Sequence, residues 1–413
     1  MASGTEYWVW LQTVLGYGAR VDELLFYYGS PEQVYNAFCR REIGQMITPA
    51  VHRKMTAVSP SQVADVQKLC REKGWHIVTP DSEYYPAPFR QIAARPLALY
   101  VQGDPALLTR EFNVGFGGTR NASRYGREMT RKIAYCVASA GATVVSGCAV
   151  GVDTASHIGA LQAKGATVGF LGTALGVDYP RENRDVREAI ARNGALVTEY
   201  QPGVQGSRTT FPIRNRLIAA FSVGVVVTEA AQKSGSLITA SYAAEYGKDV
   251  FAVPGEIDNS AYSGSHALIR DGAKPVFGAA DILEEYVLRF GLDLDALRER
   301  LKKTAAPASE NREQEPAKER KRGSERKQPL APVKEPVSPA EEKAAAAEKR
   351  PLPPFIDETG EAVYDCLLRR KAADADTLAS ETGFPAPRVL AALTMLELAG
   401  VVQKDETNRF CPL

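Results

Sequence analysis

The sequence predicts an α/β protein with a mainly parallel, doubly wound sheet, a small helical N-terminal domain and a C-terminal winged-helix domain. Three observations support this fold class. Short β-branched runs alternate with helix-length segments between residues 113 and 279, which is typical of βαβ units. Residues 6–72 have helical periodicity, and residues 355–413 fit three short helices followed by a hairpin. The 413 residues are enough for several domains.

Changes in composition set the predicted domain boundaries. We expect a helical domain of the helix-hairpin-helix or SAM-like kind over 1–75, in which Ser30 caps a helix that begins at Pro31. The α/β domain follows over 76–290. Residues 291–352 are predicted to be a disordered linker, because 302–350 hold 13 Lys and Arg against 9 Glu and few large apolar residues. The winged-helix domain occupies 353–413.

The predicted parallel strands bring a set of polar residues and glycines to one edge of the sheet. The runs NVGF, TVVSG, TVGFLG, ALVTEY, VGVVVTEA and DVFAVPG each end in small or polar residues. In an open α/β sheet, ligands bind beyond the carboxyl ends of the strands. We therefore expect these residues to line one crevice: Gly117, Gly118, Thr119, Arg120, Ser146, Gly147, Gly172, Glu199, Glu229, Gly235, Ser236, Pro254 and Gly255.

The stretch 207–216, SRTTFPIRNR, concentrates positive charge in a chain whose formal net charge is only +1. Its charged and aromatic residues are Arg208, Phe211, Arg214 and Arg216, and Arg120 is expected to lie opposite them. Guanidinium groups pair with phosphates, and an aromatic ring can stack on an unpaired base. The stretch therefore indicates a groove for single-stranded nucleic acid, in which Asn215 orients the turn. The alternative is a solvated charged loop with a buried phenylalanine.

Two glycine-rich turns at this edge are expected to hold phosphate. GFGGTR follows the first strand, but Arg120 replaces the last glycine of a dinucleotide-binding fingerprint, so an NAD site is not expected. No GxxxxGK[ST] motif occurs, which argues against a Walker-type ATPase. KSGSLIT places Ser234, Gly235 and Ser236 before a helix, where free backbone amides bind anions. Both turns could also be purely structural.

Four ionisable side chains near the crevice allow a catalytic or a structural interpretation. Asp153 and His157 lie four residues apart on one predicted helix and could act as an acid/base pair, although a capping Asp with a hydrogen-bonded His is commoner. Glu199 and Glu229 end two strands. They could serve hydrolysis, but we prefer the interpretation that they orient the arginines of 207–216.

Cysteine spacing, apolar runs and charge balance limit the expected location and binding partners of the protein. The six cysteines are scattered without CxxC spacing, so we expect reduced thiols, no zinc site and a cytoplasmic location. The first residues lack a basic segment followed by an apolar run, and no stretch approaches 18 apolar residues, so neither a secretory signal nor a membrane span is expected.

Residues 355–413 hold 6 basic against 10 acidic residues. The acidic net charge of this domain favours binding of a partner protein over binding of double-stranded DNA, and both alternatives stay open.

Several long motifs, in order, resemble the DNA-processing protein A (DprA, also called Smf) family. They are SGCAVGVDTASHIGAL, TVGFLGTALGVDYPRENRDV, FPIRNRLIA, VVVTEAAQKSGSLITASYAAEYGKDVFAVPG and SGSHALIRDGA. The resemblance is dense over residues 76–285 and looser over the two flanking domains. This chain has FGGTR where VGSR is commoner in the family.

The resemblance implies a Rossmann-like domain that binds single-stranded DNA, dimerises and loads the RecA recombinase during natural transformation. It implies no metal and no nucleotide cofactor, and we expect no enzymatic activity. Its phosphate-binding positions correspond to Arg120, Arg181, Arg208, Arg214 and Arg216, with Arg184 close by. The alternative is a nucleotide N-glycosidic hydrolase of the lysine-decarboxylase-like group, but KSGSLITASYAAE lacks the PGGxGT motif of those enzymes.

Overall fold

The computed structural model describes residues 4–43, 47–296, 298–299, 358–398, 401–404 and 409–412. The chain divides into two compact units, Met1–Glu315 and Pro316–Leu413. Within the predicted linker 291–352, residue 297 and residues 300–352 lie outside the described residues. Among the residues described, no helix is both long and apolar enough to cross a membrane.

Five helices form the N-terminal part of the first unit: α1 (Thr5–Leu15), α2 (Asp22–Tyr28), α3 (Pro31–Cys39), α4 (Pro49–Ala57) and α5 (Val63–Lys73). As predicted, the Ser30 side chain caps α3 and Pro31 is its first residue. The buried amide of Gln12 on α1 donates to the carbonyl oxygens of Ala98 and Glu199, at 3.0 and 2.8 Å. The helices are therefore tied to the sheet that follows.

A nine-stranded sheet forms the centre of the first unit. Its strands are β1 (His76–Val78), β2 (Leu99–Gly103), β3 (Asn113–Gly117), β4 (Thr143–Ser146), β5 (Thr167–Phe170), β6 (Ala195–Thr198), β7 (Gly224–Val227), β8 (Asp249–Ala252) and β9 (Lys274–Pro275). The spatial order is β1-β2-β6-β5-β4-β3-β7-β8-β9. Strand β2 pairs antiparallel with both of its neighbours, and the pairs from β6 to β9 are parallel. The predicted mainly parallel, Rossmann-like sheet is confirmed.

Helices cover both faces of the sheet, so the parallel strands are apolar on both sides. They are α6 (Arg124–Ser139), α7 (Val152–Gln162), α8 (Arg184–Asn193), α9 (Thr210–Phe221), α10 (Ser236–Glu245), α11 (Ser263–Arg270), α12 (Ala279–Leu283) and α13 (Val287–Phe290). Ile133 and Val137 of α6 pack with Val144 on one face. Leu217 and Phe221 of α9 pack with Val145 on the other.

The order of the strands reverses next to β3. The chain runs outward from β3 through β4 and β5 to β6, and then returns to place β7 on the opposite side of β3. The connections leaving β3 and β7 therefore diverge to opposite faces of the sheet and leave a crevice between them at the carboxyl ends of these strands. Such a topological switch point is the usual ligand-binding position of open α/β sheets.

The second unit has three helices followed by a hairpin, as predicted. The helices are α14 (Glu358–Arg370), α15 (Ala375–Thr382) and α16 (Ala386–Leu398), and the strands are β10 (Val402–Lys404) and β11 (Phe410–Pro412). The two strands pair antiparallel. Val363, Leu378 and Leu393, one from each helix, share a buried core with Phe410. This is the winged-helix arrangement.

Candidate nucleic-acid interface

A cavity of about 490 Å³ lies at the switch point, beyond the ends of β3 and β7. It is lined by residues at the end of β3 and in five connections of the sheet: Phe116, Gly117, Gly118, Thr119, Arg120, Ala149, Asp153, Tyr179, Arg208, Phe211, Pro212, Arg214, Asn215, Ile218, Ser234, Gly235, Ser236, Ile238 and Thr239. We call this cavity the crevice. Both glycine-rich turns and the stretch 207–216 contribute to it, as the sequence predicted.

Two exposed arginines, Arg120 and Arg208, form what we call the rim of the crevice. Neither has an ion-pair partner within the described part of the chain. The guanidinium of Arg120 lies over the ring of Phe211, 5.4 Å from its centroid. The rings of Tyr179 and Phe211 are also 5.4 Å apart, with their planes at 45°. The rim thus combines free positive charge with two adjacent aromatic rings.

The Phe211 ring packs directly against the backbone of a glycine, Gly172. A Cβ on Gly172 would lie 2.4 Å from Cδ1 of Phe211, so any larger residue would push the ring away. Gly172 is the second residue after β5, and Phe211 lies in the first turn of α9. The glycine after β5 therefore sets the position of the ring that Arg120 covers.

A third arginine, Arg214, lies behind the rim and is only 5% exposed. Its Nη1 donates to the carbonyl oxygen of Gly147 at 2.6 Å and to that of Phe170. Gly147 lacks a Cβ, which would otherwise lie 2.7 Å from the guanidinium. Burial lowers the pKa of Arg214, although the nearby Asp153 carboxylate opposes that shift. Arg214 therefore joins the ends of β4 and β5 to helix α9.

The fourth arginine, Arg216, is buried more deeply and does not line the crevice. Its Nη2 donates to both carboxylate oxygens of Glu199, each at 2.8 Å, and the two side chains are 3% and 2% exposed. Its Nε and Nη1 donate to the carbonyl oxygens of Ala94 and Ile213. The predicted role of Glu199 in orienting an arginine is confirmed. We call Arg214 and Arg216 together the wall.

Asn215 lies between the two wall arginines and connects α9 to the serine turn. Its Nδ2 donates to the carbonyl oxygen of Gly235 at 3.3 Å, and its Oδ1 accepts from Arg214 Nε at 3.1 Å. The hydroxyls of Ser234 and Ser236 are 2.7 Å apart. Asn215 thus contacts the serine turn at 234–236, and not only its own stretch 207–216.

Glu229 has a different role from the one predicted. Its carboxylate accepts from the backbone amide and the hydroxyl of Ser123 and from the hydroxyl of Tyr262, at 2.6 to 3.2 Å. The prediction that it orients an arginine is wrong, because its carboxylate lies at the start of α6 and faces the N-cap of that helix. Glu229 anchors the turn that carries Arg120.

Asp153 and His157 do not form an acid/base pair. Asp153 accepts from the backbone amide of Ala149 at 3.2 Å, and burial raises its pKa. The Nδ1 of His157 is 2.7 Å from Thr167 Oγ1, and its Nε2 is 3.5 Å from the sulfur of Cys148. Burial lowers the pKa of His157 to about 3 and raises that of the Cys148 thiol to about 12. At neutral pH both are therefore uncharged, which agrees with the structural interpretation of His157.

Ten residues that the sequence placed at this edge of the sheet or assigned to phosphate binding do not line the crevice: Ser146, Gly147, Gly172, Arg181, Arg184, Glu199, Arg216, Glu229, Pro254 and Gly255. Ser146 is fully buried and donates to the carbonyl oxygen of Phe116 at 2.8 Å. Arg184 lines a second cavity of about 350 Å³ and forms an ion pair with Asp178. Arg181 is exposed in the short 3₁₀ helix that follows Pro180.

The sequence prediction missed Tyr179 as a rim residue. This tyrosine is 42% exposed and stands beside Phe211. The motif DYPREN drew attention to its arginines, yet it also carries an aromatic residue directly after an acidic one. A search for aromatic residues interleaved with basic ones in the strand-end connections would have found Tyr179.

Neither Glu199 nor Glu229 lines the crevice, so neither carboxylate is placed for hydrolysis of a molecule bound there. Within the residues that the structure describes, no group of three or more His, Cys, Asp or Glu side chains could hold a metal ion. The crevice therefore offers cations, aromatic rings, backbone amides and hydroxyl groups as its contacts, together with the buried carboxylate of Asp153.

Family models match both units of the chain. A model described as DNA recombination-mediator protein A matches residues 76–287, and one described as the DprA winged helix domain matches residues 339–406. The DNA processing protein DprA of Bacillus subtilis is 38% identical over 215 residues, which are 52% of this chain and 72% of that protein. DprA of Streptococcus pneumoniae is 40% identical over 202 residues, which are 49% of this chain and 71% of that protein.

The fold matches a solved relative as well. The X-ray structure of DNA processing protein A from Streptococcus pneumoniae superposes with a TM-score of 0.60 at 30% sequence identity. The match covers 68% of this chain and 98% of that one. The motifs, the order of the strands, both family models and these relatives lead to the same conclusion: the chain belongs to the DNA recombination-mediator protein A family.

Proposed function

We propose that this protein binds single-stranded DNA across the crevice. One observation carries the proposal: the rim presents Arg120, free of ion pairs within the described residues, directly over Phe211 and next to Tyr179, at the switch point of the sheet. Proteins that bind single strands without sequence preference combine a cationic groove with aromatic stacking surfaces. The rim supplies both.

Phosphates are held by the rim and by the two turns. Arg120 and Arg208 are exposed and lack acidic partners within the described residues, so their charge is available to a polyanion. In the turns at 117–119 and 234–236, the amides of Thr119 and Ser234 already donate to the carbonyl oxygens of Glu229 and Ala231, so we assign the phosphate contacts of these turns to the amides of Gly118 and Gly235. Arg181 extends the basic edge next to Tyr179, whereas Arg184 is engaged with Asp178.

The wall arginines act by positioning. Arg216 directs all three nitrogens of its guanidinium to backbone carbonyls and to Glu199. Arg214 is 5% exposed and directs Nη1 to the carbonyl oxygens of Gly147 and Phe170, so we assign it a positioning role as well. Replacing them would displace the turns that carry the rim. Bases stack on Tyr179 or on the pair formed by Phe211 and Arg120.

Membership of the family supports a finer role. We propose that the protein acts as a homodimer, protects incoming single strands and loads RecA onto them during natural transformation. The supporting observation is the match to the recombination-mediator model over residues 76–287. The expected outcome is that the protein accelerates RecA filament assembly on single strands coated with single-strand-binding protein. Equal assembly rates with and without it would contradict this role.

A titration with oligo-dT over a series of salt concentrations tests the binding function. We expect the logarithm of the association constant to fall linearly with the logarithm of salt concentration, with a slope of about −0.7 for each phosphate contacted. Arg120→Ala should make the slope shallower by about 0.7. Arg110→Ala, at an exposed arginine before the start of β3, is the matched control and should bind like wild type.

The same protein should be incubated with AMP as a test for the alternative activity. Free adenine would support an N-glycosidic hydrolase and would count against a role limited to DNA binding. Wild-type protein that fails to bind oligo-dT even at low salt would refute the proposed function.

A further inference from the structure

Helix α6 carries an unusual surplus of positive charge next to the crevice. Its sequence, RYGREMTRKIAYCVAS, holds four basic residues and one acidic residue, 4 − 1 = +3, the largest surplus on any helix that the structure describes. The whole chain has a net charge of only +1. Such a concentration of charge on one element indicates a local site for an anionic partner.

The basic residues of α6 all lie on its outer face. Ile133, Ala134 and Val137 pack into the core, whereas Arg124, Arg127, Arg131 and Lys132 are exposed. Residues three and four apart are neighbours on a helix, so Arg124, Arg127 and Arg131 form one row. Seven residues at 1.5 Å each give this row a length of about 10 Å.

This row begins at the crevice. Helix α6 starts four residues after Arg120, and its N-cap Ser123 is held by the carboxylate of Glu229. Helix α6 connects the carboxyl end of β3 to the start of the parallel strand β4. The row therefore runs from the edge of the sheet that holds the crevice towards the opposite edge. The basic face is thus continuous with the rim.

Little of this charge is neutralised within the protein. Arg124 forms an exposed pair with Glu128 at 2.9 Å, a kind of contact that contributes little to stability. Arg127 donates to the carbonyl oxygen of Ala122, which leaves its charge uncompensated. Neither Arg131 nor Lys132 has an ion-pair partner among the described residues. The neighbouring unpaired cations Arg127, Arg131 and Lys132 repel one another, and a bound polyanion would relieve this repulsion.

An aromatic residue accompanies these cations. Tyr125 is 50% exposed on the first turn of α6, and its ring meets that of Tyr262 edge-on at 6.3 Å. Lys132 lies two turns further along the same side of the helix. An exposed ring between basic side chains repeats the combination found at the rim.

We infer that the outer face of α6 is a second binding segment, along which a single strand continues after it leaves the crevice. The inference rests on the proposed function, since it requires a strand in the crevice. Arg127, Arg131 and Lys132 contact successive phosphates, and Tyr125 offers a stacking surface at the exit. Continuity with the rim favours the departing end of the same strand over any other anionic partner.

Oligonucleotides of two lengths distinguish binding in the crevice from binding along α6. An oligo-dT of about six nucleotides fills the crevice alone, and one of about twenty also reaches α6, because single binding folds cover roughly 4 to 16 nucleotides. The test variant is Arg131→Gln with Lys132→Gln. Both positions are exposed and helical, and glutamine is a good helix former, so the fold is retained.

The matched control is Lys164→Gln with Arg192→Gln. Both residues are exposed and precede β5 and β6 by three positions, which places them at the opposite edge of the sheet. The control removes the same amount of charge. Any general effect of net charge should therefore appear equally in the test variant and in the control.

We expect the test variant to bind the long oligonucleotide with a salt slope shallower by about 1.4, two contacts at about 0.7 each, and to bind the short one like wild type. The control should match wild type at both lengths. A wild-type slope on the long oligonucleotide, or an equal loss at both lengths, would overturn the inference. Wild-type protein that binds neither length would refute the proposed function itself, and the inference with it.

Discussion

The rim and the wall of the crevice contain the same residue type in two opposite environments. At the rim, Arg120 and Arg208 are exposed and have no acidic partner within the described residues. In the wall, Arg214 and Arg216 are 5% and 3% exposed and are held by backbone carbonyls and by Glu199. The difference shows that an arginine-rich motif can serve binding at one end and folding at the other. Substitutions in the wall should therefore cost stability, and substitutions at the rim should cost affinity.

The largest loss of stability is expected for Arg216→Met. Removing one partner of a buried ion pair leaves Glu199 charged and unpaired, which costs about 3–5 kcal/mol of unfolding free energy. Urea denaturation followed by circular dichroism measures this loss. The double variant Arg216→Met with Glu199→Met should recover most of it, because it removes both charges. A single variant as stable as wild type would show that the pair is not important for folding.

A smaller loss is expected for Arg214→Met. The variant leaves the carbonyl oxygens of Gly147 and Phe170 without this donor and the buried Asp153 without its neighbouring cation. We expect a loss of about 2 kcal/mol in unfolding free energy, measured in the same denaturation assay. No measurable loss would mean that water or another side chain satisfies these groups.

The region beneath the wall should respond to pH. The folded pKa of His157 is about 3, below its unfolded value of about 6.5, so the unfolded chain binds the extra proton between these values. The contribution of His157 is fully present above pH 6.5 and is lost as pH falls towards 3. Between pH 6 and pH 5 this amounts to about 1 kcal/mol. In His157→Asn, the dependence of unfolding free energy on pH should be weaker over this interval; an unchanged dependence would contradict the assignment.

The smallest effect on stability is expected at the rim. Arg120 is exposed and forms no ion pair among the described residues, so Arg120→Ala should change the unfolding free energy by less than about 0.5 kcal/mol. The same denaturation series measures it. A loss comparable to that of Arg214→Met would mean that the contact between Arg120 and Phe211 holds the turn together, and the distinction between rim and wall would fail.

The sequence predicted the parts of the fold that depend on local pattern. The apolar runs from NVGF to DVFAVPG gave six parallel strands, because continuous β-branched segments separated by helices have few alternatives. It did not predict that β2 pairs antiparallel with β6, because the two strands are separated by more than 90 residues. Such a pairing depends on the whole chain and leaves no local signal.

The site was predicted at the level of the crevice but not of each side chain. Strand ends gathered Arg120, Phe211 and the serine turn correctly. The separation of Arg214 and Arg216 from Arg208 was not predictable, because it depends on a missing Cβ at Gly147 and on Glu199, which directly follows β6. The role of Glu229 was also missed, since its partner Ser123 is 106 residues away.

The most direct test of the central claim compares the salt dependence of oligo-dT binding by Arg120→Ala and by Arg214→Met, each under conditions in which the variant is fully folded. The account predicts a slope shallower by about 0.7 for Arg120→Ala, because a phosphate contact is lost. For Arg214→Met it predicts weaker binding with the wild-type slope, because the wall positions the rim without touching phosphate. A shallower slope for Arg214→Met together with a wild-type slope for Arg120→Ala would contradict the account.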